Sequence, residues 1–183
     1  MNEKLKEILE TSLYFLAVLV IALLVVTFIG QRTIVDGSSM EPTLSDKDNL
    51  IVDKITYRFK EPQRFDVVVF PYKGSKRTYY IKRIIGLPGE TVQILDDGTI
   101  LINNEVLDEK YGNDVIKKAG RASSPITLGE DEYFVMGDNR NNSQDSRFEN
   151  VGNIKKSDLT GRAWMRIFPF NKFGMVKNIR KDL

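Results

Sequence analysis

Between Glu10 and Arg32 the chain carries no charged side chain, and no other feature restricts its fold as strongly. As a helix, residues 11–30 would measure roughly 30 Å, about the hydrocarbon thickness of a bilayer. The run is apolar on every face, which argues against a helix laid on a soluble core. It is also long for the apolar part of a cleaved leader, and no small-x-small cleavage site follows it closely. The reading is one uncleaved transmembrane helix over residues 11–30. Lys4, Lys6 and the amino terminus precede it, and Arg32 follows it. The positive-inside rule then places a short tail, residues 1–10, in the cytoplasm, and residues 31–183 outside the cell membrane.

Beyond the anchor the pattern changes to short β-branched runs separated by Gly, Pro and Asx turns. Leu50–Asp53, Val67–Phe70, Thr78–Ile85, Thr91–Leu95, Thr99–Ile102, Tyr133–Met136 and Arg162–Phe168 read as strands. Asp96-Asp97-Gly98 between two of them is a hairpin signal, because Asx and Gly accept positive φ. Asp114–Ala119 could form a short helical turn. The expected fold is mainly β, with antiparallel sheets forming a folded sheet or partial barrel and a small excursion at about 95–130. Trp164–Phe170 reads either as a core strand with its turn or as an aromatic segment resting on lipid. The basic stretch Lys172–Lys181 reads as a solvated end or a contact with anionic lipid.

Composition removes whole classes of chemistry. The 183 residues include no histidine and no cysteine, so neither a Ser-His-Asp triad nor a thiol nucleophile can be assembled. Zinc loses its usual ligands for the same reason. With 27 basic and 25 acidic side chains the net charge is +2, which offers no electrostatic case for nucleic acid. Any covalent hydrolysis must use a hydroxyl, with Lys, Asp, Glu or Tyr as its base.

Three segments could supply that chemistry. Ser39 follows Gly37 and Ser38 on a tight turn, where its own N–H could face a developing oxyanion. Lys82 shares a strand face with Tyr80 and Ile84, and an inward lysine there would have a depressed pKa and could act as a neutral base. The polar run Gly137–Arg147 suggests a loop tied down by side-chain hydrogen bonds, with Asp145–Arg147 or Asp138–Arg140 as ion pairs. Its acidic spacing loosely matches a calcium loop, but Arg140 sits at a ligand position and Ser143 replaces the required Gly. Each segment alone has an ordinary structural reading.

In order, Ser38-Ser39-Met40-Glu41-Pro42-Thr43-Leu44, Arg64–Phe70, Tyr80–Glu90 and Gly137–Arg147 behind an amino-terminal span closely resemble the bacterial type I signal peptidases, in the single-span Gram-positive form. The resemblance implies a membrane-bound serine endopeptidase that removes amino-terminal signal peptides from exported preproteins, with small residues preferred at positions −1 and −3. It implies Ser39 as nucleophile and Lys82 as general base. Ser143 would hydrogen-bond that lysine, Asp145 and Arg147 would stabilise the site, and Tyr80 would be its aromatic neighbour. Met40, Leu44 and Ile81 would line the substrate pockets, with the peptide bound as an added strand. No metal or other cofactor is implied. The implied partners are signal peptides and the lipid bilayer, with the secretion translocon a further candidate.

Two positions depart from the family pattern. Gly37 stands where some relatives carry a second oxyanion-donating hydroxyl, and Phe65 replaces the glycine of an Arg-Gly-Asp block. Among rival readings, a penicillin-binding acyl transferase lacks its motifs here. A self-cleaving repressor-type protease lacks an anchor. A non-catalytic peptide-binding module would be indifferent to Ser39→Ala.

Overall fold

The structure is a computed structural model that describes residues 3–24, 30–74, 78–112 and 114–176. Helix α1 runs Glu3–Leu24 and so begins in the charged segment rather than after it. Its Leu13, Phe15, Leu19 and Ile21 are all more than half exposed. Among the described residues no helix is long and apolar enough to cross a membrane. Residues 25–29 of the expected anchor lie outside the described residues, and Gly30, expected to close it, instead opens strand β1, Gly30–Ile34.

The remaining strands are β2 (Asn49–Asp53), β3 (Val67–Pro71), β4 (Tyr79–Gly86), β5 (Thr91–Ile94), β6 (Ile100–Ile102), β7 (Glu105–Val106), β8 (Ile126–Thr127), β9 (Glu132–Met136), β10 (Ile154–Lys155), β11 (Gly161–Phe168) and β12 (Gly174–Met175). Every recorded pairing is antiparallel. The larger sheet runs β1-β2-β11-β3-β4-β9-β10, with β12 added on β11, and the smaller runs β7-β6-β5-β8. All seven runs read as strands from the sequence fall on strands, with only Thr78, Leu95 and Thr99 one residue outside them. The Asp96-Asp97-Gly98 turn joins β5 to β6 with Gly98 at φ +86°. Asp114–Ala119 is not helical, and the neighbouring short 3-10 helix is Gly120–Ser123.

Burial follows the sequence pattern. Val67–Phe70 is a continuous apolar run and is buried at all four residues, as a strand covered on both faces must be. Three apolar clusters result. One lies under the smaller sheet around Val92, Ile94, Phe134 and Met136. A second gathers Val35, Met40, Leu44 and Leu50, and a third Val68, Phe70, Ile84 and Tyr133. Strand β4 touches all three, so a side chain on it is easily removed from water.

Candidate active site

Strand β4 and the loop after β1 meet at one hydrogen bond. Lys82 Nζ lies 2.7 Å from Ser39 Oγ and donates to it, and it also donates to the Ile81 carbonyl at 3.0 Å. Lys82 is only 4 % exposed. That burial pushes its amine down to about 8, against the upward pull of the Asp145 and Asp138 carboxylates. Its Nζ also sits 5.0 Å from the centre of the Tyr80 ring, which stacks on Tyr72. At pH 7 a pKa of 8 leaves about one lysine in ten neutral, against about one in three thousand at 10.5.

The polar loop after β9 holds the Ser39 turn in place. Asn139 donates from its backbone to the Ser39 carbonyl and from its side chain to the Ser38 carbonyl, and Asn142 Nδ2 reaches Ser38 Oγ at 2.8 Å. A Cβ at Gly137 would collide with the Ser39 carbonyl and the Ser143 hydroxyl, so glycine is required for this approach. These tethers were not singled out from the sequence. The only signal for them is the density of Asn and Asp after an apolar strand.

Beneath the loop, Asp145 and Arg147 form a buried ion pair at 2.8 Å, and Asp145 also accepts the Gly137 N–H. Arg147 reaches on to the carbonyls of Lys118 and Arg140. The alternative pair, Asp138–Arg140, is not formed. Asp138 instead takes two hydrogen bonds from Arg83, at 2.8 and 2.6 Å, while Arg140 pairs with Glu109. Two residues apart from these differ from expectation. Ser143 Oγ is buried without a hydrogen-bond partner, and Lys82 Nζ donates to Ser39 and the Ile81 carbonyl rather than to it. Leu44 is wholly buried in the core and lines no substrate pocket. Phe65, the departure from the family pattern, occupies φ +71°, a left-handed conformation that favours glycine.

A cleft of about 410 Å³ opens above Ser39 and Lys82. Met40, Tyr80 and Ile81 line it, between Thr33–Asp36 on one wall and Thr78–Lys82 on the other. Both walls are strand edges. β1 pairs only with β2, and Tyr79–Lys82 pairs only with β3 because β9 joins β4 from Arg83 onward. Gly37, at φ +96°, donates its N–H to Asp46, and no described atom lies within 4 Å of where its Cβ would be.

The chain that places this hydroxyl and buried lysine in one cleft matches a known family model. It is described as signal peptidase, peptidase S26, and it covers residues 8–168. The chain belongs to the peptidase S26 signal peptidase family. It is a serine peptidase, a hydrolase of peptide bonds. The chain is 36% identical to a probable signal peptidase I-2 of Synechocystis over 92% of this chain and 77% of that one. It is 36% identical to a signal peptidase I P of Bacillus subtilis subsp. natto over 96% of both chains. A crystal structure of a signal peptidase I from Enterococcus faecalis V583 matches with 36% identity and a TM-score of 0.45, covering 56% of this chain and 97% of that one.

Proposed function

We propose that this chain removes signal peptides from exported preproteins through a Ser39–Lys82 dyad, held at the outer face of the cell membrane by its amino-terminal helix. The 2.7 Å contact between Lys82 Nζ and Ser39 Oγ carries the proposal. Neutral Lys82 takes the Ser39 proton as Oγ bonds to the scissile carbonyl carbon. The tetrahedral oxyanion faces the Ser39 N–H, which has no partner among the described residues. Lys82 then returns the proton to the departing amine, freeing the mature amino terminus and leaving the signal peptide as an ester on Ser39. A water deprotonated by Lys82 hydrolyses that ester, and the serine recovers its proton.

The two strand edges flanking the cleft suit an extended peptide added as a strand, with backbone hydrogen bonds for affinity. Met40, which is buried, and Ile81 line the cleft, and the small side chains at −1 and −3 would rest against them. Asp145 and Arg147 hold the loop that carries the tethers, and Ser143 and Tyr80 flank the lysine. The exposed apolar faces of α1 need a non-aqueous neighbour, which a bilayer supplies. Enzyme and preprotein then meet in one plane, where tethering raises their effective concentration.

The test is cleavage of a preprotein bearing Ala-x-Ala by the full chain in detergent. Wild type should release mature product of the expected length, and kcat/KM should climb with pH through about 8. Ser39→Ala and Lys82→Ala should each lower the rate on the order of 10⁴-fold or more with folding unchanged. Persistent cleavage by either variant overturns the dyad.

A further inference from the structure

A second cavity, about 440 Å³, lies on the other side of the loop that carries Ser39. Pro42 and Thr43 form one wall, and Phe173 and Met175 form the apolar rim. Three cations line it: Lys110, Arg166 and Lys172. Two nearby carboxylates are already committed. Glu109 pairs with Arg140, and Asp48 pairs with Arg166 at 2.7 Å. Among the described residues Lys110 and Lys172 have no carboxylate partner, and Lys172 meets only the Ser45 hydroxyl. Arg166 keeps its buried Nε–H without an acceptor.

The rim is as unusual as the lining. Phe173 is 61% exposed and Met175 52%, and Phe170, one turn earlier, is 80% exposed. Phe168 continues this apolar surface along the end of β11 and meets the Phe170 ring edge-on. A free anion would gain from the cations and nothing from the rim. A zwitterionic amphiphile would gain from the rim and little from two unpaired lysines. An amphiphile with a net negative phosphate head uses both.

We infer that this cavity is a binding site for the headgroup of an anionic phospholipid, with its phosphate on Lys110, Lys172 and Arg166 and its acyl chains over Phe173 and Met175. The inference rests on the membrane-bound reading above, because only there is the ligand at hand. Its occupant would touch Pro42 and Thr43, two residues from Met40 in the catalytic cleft, so it would steady the nucleophile loop from behind.

The chain has no cysteine, so Asn171→Cys offers a unique label site on the exposed turn beside Lys172. The full chain carrying a polarity-sensitive dye there is titrated in neutral detergent with dihexanoyl phosphatidylglycerol, dihexanoyl phosphatidylcholine, inorganic phosphate and an Asp/Glu-rich peptide. Phosphatidylglycerol should give a saturable response at least about tenfold tighter than phosphatidylcholine, because the basic side chains favour a net anionic head. Lys110→Gln with Lys172→Gln should weaken it by a similar factor, while Ala-x-Ala preprotein cleavage without added lipid stays at the wild-type rate. Equal response to phosphatidylcholine, or an unchanged response in the double variant, overturns the site. A response to phosphate or to the acidic peptide as strong as to phosphatidylglycerol overturns it too, in favour of a free-anion or protein-binding cavity. The reading is independent of turnover, so a failed dyad and a failed lipid site give different results.

Discussion

Lys82 and Arg83 are consecutive cations on one strand, both almost completely buried, and they have opposite surroundings. Lys82 touches a hydroxyl and a carbonyl but no carboxylate. Arg83 takes both oxygens of Asp138, the Phe65 carbonyl and the Thr43 hydroxyl, and its guanidinium lies 3.7 Å from the centre of the Tyr111 ring. A buried cation without a counter-ion is driven toward its neutral form and becomes a base. A buried cation with a bidentate counter-ion stays charged and becomes a clamp. Alternation along β4 sends the two side chains to opposite faces, so the chain can build both from adjacent residues.

Removing the clamp should produce the larger effect. Asp138→Ala leaves Arg83 buried and uncompensated, and should cost about 4 kcal/mol in urea unfolding of the detergent-solubilised chain. Arg83→Met combined with Asp138→Leu should recover most of that loss. Asp138 also pulls the Lys82 pKa upward, so Asp138→Asn should move the pH midpoint of kcat/KM downward. A midpoint unchanged in a folded Asp138→Asn enzyme would separate the two cations and break the comparison.

Neutralising the base should have the reverse sign. The Lys82 amine is depressed from 10.5 to about 8. Below about 8 both folded and unfolded chains hold the proton, and the full burial cost is present. Between 8 and 10.5 only the unfolded chain holds it, so folded stability rises with pH until the cost is gone. Lys82→Met should therefore be inactive yet more stable than wild type by about 2 to 3 kcal/mol at pH 7, an advantage that shrinks toward pH 10.5. Unfolding curves at several pH values, read by the single tryptophan, Trp164, measure it. A pH-independent difference would mean the lysine is not desolvated.

The same contrast shows what a sequence can reveal. β-branched runs located seven of the eight longer strands, because burial and alternation are local properties; the eighth, β1, adjoins the uncharged run, and its Gly30 was read as part of it. β7, β8, β10 and β12 are two residues each, too short to show any period. Ser39 and Lys82 stood out through elimination and the order of their motifs, and the structure brings their atoms together. Ion-pair partners distant in sequence were not legible. Asp138 was matched with Arg140 by nearness, but its true partner is 55 residues away. Leu44 looked like a pocket residue because its motif flanks the nucleophile, whereas its side chain faces the core. Helix α1 began earlier than hydropathy suggested, because Lys6 and Glu10 are one turn apart and pair across it, so charge does not delay the helix.

Phe65 tests the clamp most finely, because it contributes a carbonyl to Arg83 and a ring to Tyr111, whose centre is 5.0 Å away. Its φ of +71° opposes any side chain, and its ring repays that strain by closing the apolar cluster under the smaller sheet. Phe65→Ala removes the ring and keeps the strain; Phe65→Gly removes both. The glycine variant should therefore be about 1 kcal/mol more stable than the alanine variant, and both should be less stable than wild type if the ring outweighs the strain. Unfolding of the three proteins side by side decides this. Alanine equal to glycine would mean that the backbone relaxes out of the left-handed region, and the Phe65 carbonyl would then be free to leave Arg83.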